Sequence, residues 1–340
     1  MEHQTLSSSA PAVQTQTDPR PIPVLDDTQA ELLARAALTF IVEPGDHIGA
    51  IVVNTLGAPR AALAMAVGIH SITRAEVAAI MEGITAAGRR VYTESTLESH
   101  WKNWTIRGQL ADPEQYLEDI QELGGGLLLP SDPRWPARLN RLGVDTPLAL
   151  WFLGDPDVLT AKKSLAVAGT RTATSYGQAV TRQLVFAAAE KRTLIVAGGG
   201  YGHEAAAHRA ALSSRKGKTV AVLSGGLDAF IPTGNTDLLE EVARKGLVLS
   251  EIAPGSGSTR LRHLARTRVI AALSDAVLIV ECREQSAAME TVENARELGL
   301  RVGVVPGPVT SELSRAPHAL LKTRAAVTVT DPEDVLGLMA

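Results

Sequence analysis

The sequence predicts an α/β protein: a mostly parallel, doubly wound sheet preceded by a small helical unit. Two observations carry this. From about residue 164 onward, short runs rich in Val, Ile and Leu alternate with amphipathic helical stretches, the pattern of strands buried on both faces and joined by helices. Before residue 124 the apolar residues follow a helical spacing instead, with Ala and Leu dominant. Composition agrees: over 340 residues, hydrophobic side chains make up 45% and charged ones 21%, ordinary for a globular chain long enough for two cores.

Along the chain, residues 1–27 are rich in Ser, Thr, Gln and Pro and read as a disordered tail. This stretch lacks the basic start and apolar core of a signal peptide. Residues 28–124 read as a helical domain. Thr28 to Glu31 resembles a capping box. Gly57 stops one helix and Pro59 begins the next, Thr73 to Glu76 opens another, and Asp112-Pro113 opens one more. Residues 125–340 read as the sheet domain. Strands are expected at 127–130, 148–153, 165–168, 193–197, 220–223, 247–250, 276–280, 302–305 and 326–330. No apolar run approaches the roughly 20 residues of a membrane helix. The single cysteine, Cys282, excludes an internal disulfide framework and suits a reducing cytoplasm.

Ligands on doubly wound sheets sit beyond the carboxyl ends of the strands, and two expected strands end in glycine turns. The first gives Gly169-Thr170-Arg171 before a helix. Gly169 permits close backbone approach, Thr170 and the helix start offer amides to an anion, and Arg171 projects from the strand end. The bland alternative is a turn glycine beside a solvated arginine. The second gives Gly198-Gly199-Gly200-Tyr201-Gly202 before a helix, an anion cradle in principle. It is not the dinucleotide fingerprint, whose third glycine is replaced by His203. Gly217-Lys218-Thr219 lacks the upstream glycine of a Walker A loop, since residue 212 is leucine. His203 and His208 are five residues apart and point apart on a helix. No metal or cofactor is therefore expected, and His208 is read as a packed helix residue.

Charge distribution is the most informative signal. The net charge is −4, so polyanion binding would need a local patch. Residues 158–189, 205–227 and 252–274 contain no Asp or Glu. The last window holds Arg260, Arg262, Arg266 and Arg268, four arginines within nine residues. Arginine is suited to bidentate phosphate contacts, and acid-free stretches focus positive potential locally. The bland alternative is a basic loop with no ligand.

The motifs from Gly169 to Leu336 resemble the DprA/Smf family of DNA-processing proteins. The matching blocks are Gly169-Thr170-Arg171 with Tyr176-Gly177, Ala197-Gly198 with Gly202 and Ala207-His208, and Ala221 to Asp228 with Pro232 and Asn235. Ser250-Glu251 with Pro254-Gly255, Arg266 to Ile270 with Leu273-Ser274, Val305 to Pro308, and Thr330 to Leu336 follow in the family's order. The helical region resembles the family's SAM-like N-terminal domain more weakly. The resemblance implies an extended Rossmann-like fold, usually a homodimer. It implies a non-enzymatic protein that binds and protects single-stranded DNA and loads the RecA recombinase, notably in natural transformation and recombination. Carried over by residue, Arg171, Arg260, Arg266 and Arg268 are the expected DNA contacts. Gly169, Thr170, Gly198, Gly199, Gly200 and Gly202 are the expected anion loops. Departures mark a divergent member: Gly199-Gly200-Tyr201 and His203-Glu204 replace the family's usual residues, Thr267 replaces an asparagine, Thr233 a lysine, and Ser286-Ala287-Ala288 stands for Ser-Gly-Ser/Ala, losing a glycine. An alternative is a nucleotide binder or LOG-type nucleoside-monophosphate phosphoribohydrolase, with Glu204 as acid or base. Its second motif is missing at Glu281 to Ser286.

Overall fold

The computed structural model describes residues 26–88 and 92–340. The expected tail over residues 1–27 therefore lies outside the described residues, apart from Asp26 and Asp27. Among the described residues, the first α-helices are α1 (Asp27–Ile41), α2 (His47–Leu56), α3 (Ala58–Val67), α4 (Arg74–Ala86), α5 (Glu94–Gly108) and α6 (Pro113–Glu122). The N-cap of α1 is Asp26, whose carboxylate accepts from the Gln29 amide, so the box expected at Thr28 is displaced. An aspartate two residues upstream serves as the stronger acceptor. The box at Thr73 and Glu76 is present with both reciprocal hydrogen bonds, and Asp112 caps α6. Gly57 ends α2 at φ +79° and leads directly into α3, with Pro59 in its first turn. Helix α5 has no counterpart among the expectations, because its Ser, Asn and Thr content hides the buried face of Leu97, Trp101 and Trp104.

The sheet domain then adds β1 (Gly125–Leu128), β2 (Leu150–Gly154), β3 (Ser164–Ala168), α7 (Ser175–Glu190), β4 (Leu194–Gly198), α8 (His203–Ser213) and β5 (Lys218–Leu223). After these come α9 (Thr236–Lys245), β6 (Leu247–Ser250), α10 (Arg260–Ala272), β7 (Ala276–Ile279), α11 (Ala287–Glu297) and β8 (Arg301–Val304). The last elements are α12 (Arg315–Lys322), β9 (Val327–Thr328) and α13 (Pro332–Leu338). Strand β1 starts two residues before its expected position. Gly125 and Gly126 lie against Phe152, where a side chain would collide.

The nine strands form one sheet in the order β1-β2-β6-β5-β4-β3-β7-β8-β9. Strands β3 to β9 pair in parallel, and β1 and β2 extend the β6 edge antiparallel. The order steps outward in opposite directions from β3, to β4 on one side and β7 on the other. That makes the β3–β7 crevice the topological switch point. Alternation along β3 splits the core: Leu165 and Val167 pack with α7, α8 and α13, and Ala166 and Ala168 with α10, α11 and α12. The helical unit is seated on the sheet through a shared apolar cluster. In it, Ala36, Phe40, Tyr116 and Ile120 meet Trp151, Leu153, Leu223 and Leu227. The Trp151 indole also donates to Thr39 Oγ1 at 3.0 Å. No single helix among the described residues is long and apolar enough to cross a membrane.

Candidate nucleic-acid interface

The carboxyl ends of β3, β4, β5, β6 and β7 open on one rim, where both glycine turns lie. In the β4 turn the glycines are required by what packs against them. A side chain at Gly198 would strike the Arg266 guanidinium, one at Gly199 would strike Leu223, and one at Gly200 the Glu204 carboxylate. Gly202, at φ +72°, abuts the backbone of Thr170 and Arg171. The anion in this cradle is the protein's own: the Gly200 amide donates to Glu204 at 2.6 Å. Burial alone would raise the Glu204 carboxyl, but Arg266 and the Gly200 amide outweigh it and hold the group ionised below its usual range. Asn235 Nδ2 holds the Gly199 carbonyl at 3.0 Å. His208 is fully buried, and burial keeps its imidazole neutral. In that state Nε2–H donates to the Gly198 carbonyl at 2.9 Å, and Nδ1 stands 2.7 Å from the Thr219 hydroxyl.

The β3 turn is built alike. The Thr170 amide donates to the Glu281 carbonyl at 2.7 Å. The Glu281 carboxylate accepts from the Thr174 amide at 3.0 Å and its hydroxyl at 2.6 Å. Both helix starts expected to cradle a ligand's phosphate thus already face internal carboxylates. The anion-loop reading of Gly169, Thr170, Gly198, Gly199, Gly200 and Gly202 is corrected accordingly.

The arginine cluster is also reorganised. Residues 260–268 lie on α10 itself, not on a loop, and a helix turns about 100° per residue. The four guanidinium groups therefore do not share one face: Arg262 and Arg266 lie on one side of the helix and Arg260 and Arg268 on another. Arg266 is 4% exposed, and donates to the Val222 carbonyl at 2.9 Å and to both Glu204 oxygens at 3.1 and 3.2 Å. Arg268 is 8% exposed, forms a bidentate pair with Glu251 at 2.6 Å, and donates to the Asp145 carbonyl. These two are interior ion pairs, which corrects their reading as open phosphate contacts. Arg262, on the same helix, is engaged by Glu43 of the helical unit at 2.7 and 2.8 Å. The same carboxylate also pairs with Arg107. Arg260 is exposed.

Arg171 is exposed and, among the described residues, its side chain makes no hydrogen bond or ion pair. It is within electrostatic reach of His263 on α10, so Arg171 and the α10 start do share one rim. Burial, Arg266 and Arg171 together push His263 down to about 4 against the pull of Glu204, leaving the imidazole neutral at physiological pH. Among the exposed apolar side chains, Tyr201 (45%), Ile231 (51%) and Val309 (87%) lie in the segments that follow β4, β5 and β8, and Leu261 (79%) follows Arg260 in α10. Among the described residues, no group of three or more His, Cys, Asp or Glu side chains is placed to hold a metal ion.

The model of the family described as DNA recombination-mediator protein A matches residues 126–340. The chain belongs to the DprA/Smf family. A Mycobacterium tuberculosis protein named as a DprA is 41% identical to this DprA/Smf chain over 232 residues. The match spans 65% of this chain but 59% of that protein's own length. The DNA processing protein DprA of Streptococcus pneumoniae is 37% identical over 206 residues, 61% of this chain and 71% of that protein. Its X-ray structure superposes with a TM-score of 0.69 at 25% identity, over 91% of this chain and 97% of that one. A Helicobacter pylori DprA, described for its single-stranded DNA binding mode, gives a TM-score of 0.56 at 28% identity. That superposition spans 59% of this chain and 91% of that one. The DprA/Smf matches confirm the Rossmann-like sheet domain.

The site residues that sequence reasoning missed are Glu43, His203 and Glu281. Glu281 had a signal: it is the first acid after the apolar run ending at Val280, hence at a strand's carboxyl end. Glu43 had none, since its partner Arg262 lies more than two hundred residues away.

Proposed function

We propose that this DprA/Smf chain binds single-stranded DNA along the carboxyl-end rim of its sheet, without covalent chemistry. Phosphates meet Arg171 and Arg260, and bases face Tyr201, the division of labour used by sequence-tolerant single-strand binders. The observation that carries this reading is Arg171. It is an exposed guanidinium, unpaired among the described residues, on a fixed turn at the switch point and inside a segment free of acids. The H. pylori relative's binding mode supports the ligand class. Glu204, the acid or base of the phosphoribohydrolase alternative, is engaged by Arg266 and the Gly200 amide, so nothing favours that alternative.

The finer role follows the family: a cytoplasmic homodimer that protects single strands and passes them to a RecA-type recombinase in transformation or recombination. Fluorescence anisotropy with labelled single-stranded DNA across a salt series tests the core claim. Wild-type affinity is expected to fall steeply with salt as counterions are released, and the Arg171→Ala/Arg260→Ala protein to bind all sequences more weakly. Equal binding by that folded double variant refutes it. Sedimentation velocity, with and without a RecA-type recombinase, tests the dimer and the partner.

A further inference from the structure

The crevice at the switch point of a doubly wound sheet ordinarily receives a ligand. Here it is filled from within. Glu281, 3% exposed, leaves the end of β7 and meets both ends of the turn that carries Arg171. Its carbonyl takes the Thr170 amide at the near end, and its carboxylate takes the Thr174 amide and hydroxyl at the far end. His203, fully buried at the start of α8, stands 3.2 Å from the same carboxylate through Nε2 and 2.8 Å from Thr181 through Nδ1. Burial keeps this imidazole below its usual value despite the carboxylate beside it. Gly169 and Gly177 lack side chains where His203 and Glu281 come in, and the Gly202 backbone closes on Thr170 and Arg171 from the β4 side.

The Arg171 side chain has no hydrogen-bond or ion-pair partner among the described residues, so the backbone of the 170–174 segment, tied by Glu281 and abutted by Gly202, sets where the guanidinium stands. A turn tied at both ends has its ordering cost met before ligand arrives, and that preorganisation is recovered as affinity. We propose that Glu281 is a positioning residue of the nucleic-acid site, holding the 170–174 turn so that Arg171 is presented to phosphate. This rests on the single-stranded DNA reading above. The role differs from that of Arg266, whose partners stabilise the interior without touching the Arg171 turn.

The test is a binding cycle on the full chain, read by anisotropy with single-stranded DNA across a salt series. Glu281→Gln is made in the wild-type and Arg171→Ala backgrounds, with thermal melts to establish that each variant is folded. Arg171→Ala is expected to reduce the salt slope by about 0.7, one phosphate contact on a single strand. Glu281→Gln is expected to weaken binding about tenfold with the slope little changed, because the contact is still made but costs more to order. In the Arg171→Ala background it is expected to add nothing, since its effect passes through Arg171. Thr174→Val is expected to reproduce Glu281→Gln and Thr174→Ser to bind as wild type, which keeps the test intact if the Glu281→Gln protein fails to fold. Equal weakening in both backgrounds marks a general packing role and overturns the proposal, as does wild-type affinity in folded Glu281→Gln and Thr174→Val proteins. Wild-type binding by Arg171→Ala overturns the DNA assignment of Arg171 itself and removes the proposal with it.

Discussion

Arg266→Ala separates the two roles an arginine on this rim can play. The side chain is 5% exposed and its partner Glu204 14% exposed. Truncation removes the Arg266 donor from the Val222 carbonyl and leaves the Glu204 carboxylate, among the described residues, with the Gly200 amide as its remaining hydrogen bond. Removing one member of a buried pair costs about 3–5 kcal/mol, because the stranded charge remains desolvated. An exposed pair would cost about 1 kcal/mol or less. For a chain of this size the buried case is a fall in Tm on the order of 10 °C. Arg266→Met combined with Glu204→Gln buries no charge and keeps an acceptor for Gly200, so it is expected to recover at least half of the loss. Scanning calorimetry and urea titration give the stabilities, and anisotropy with single-stranded DNA gives the salt slope, which is expected to match wild type in any folded Arg266 variant. An Arg266→Ala protein that melts close to wild type while its salt slope drops would refute this. That outcome would mean the guanidinium spends its charge on phosphate rather than on Glu204.

Three other outcomes are expected. Burial would raise the Glu43 carboxyl, but Arg262 and Arg107 hold it down at about 2. A depressed folded-state value stabilises above the unfolded value of about 4.5 and is lost as pH falls towards 2. The Tm advantage of wild type over Glu43→Gln should therefore be present near neutral pH and shrink through that window in a pH-resolved melt. Gly202→Ala forces a side chain into a positive-φ turn and against the Thr170 carbonyl. It should destabilise by more than about 1 kcal/mol in denaturant titrations and also weaken DNA binding by shifting Arg171. Thr73→Ala removes half of the capping box at the start of α4. It should cost about 1 kcal/mol, visible as faster amide exchange in that first turn.

The parallel strands were legible because burial on both faces writes an uninterrupted apolar run, such as Leu165-Ala166-Val167, that needs no tertiary context to read. The position of Arg171 just past a strand's carboxyl end was legible for a related reason: the apolar run stops at Ala168 and a glycine follows. The arginines of α10 were not. Their spacing looked like a basic loop, but the second half of α10 is buried on every face, which takes Arg266 and Arg268 inward to acids from other elements. The clue lay at the window edges. Glu204 and Glu251 are the residues immediately before two of the acid-free stretches, and they are the partners those arginines found. Absence of acid within a window says nothing about acids that folding brings back to it.

The apolar seam joining Ala36 and Ile120 to Trp151 and Leu153 bears on how the chain comes apart. A fragment cut at residue 126, where the recognisable family pattern starts, would lay an indole and several leucines bare to water along the flank of the sheet. Such a piece should self-associate, and the intact polypeptide should melt in one cooperative step rather than two.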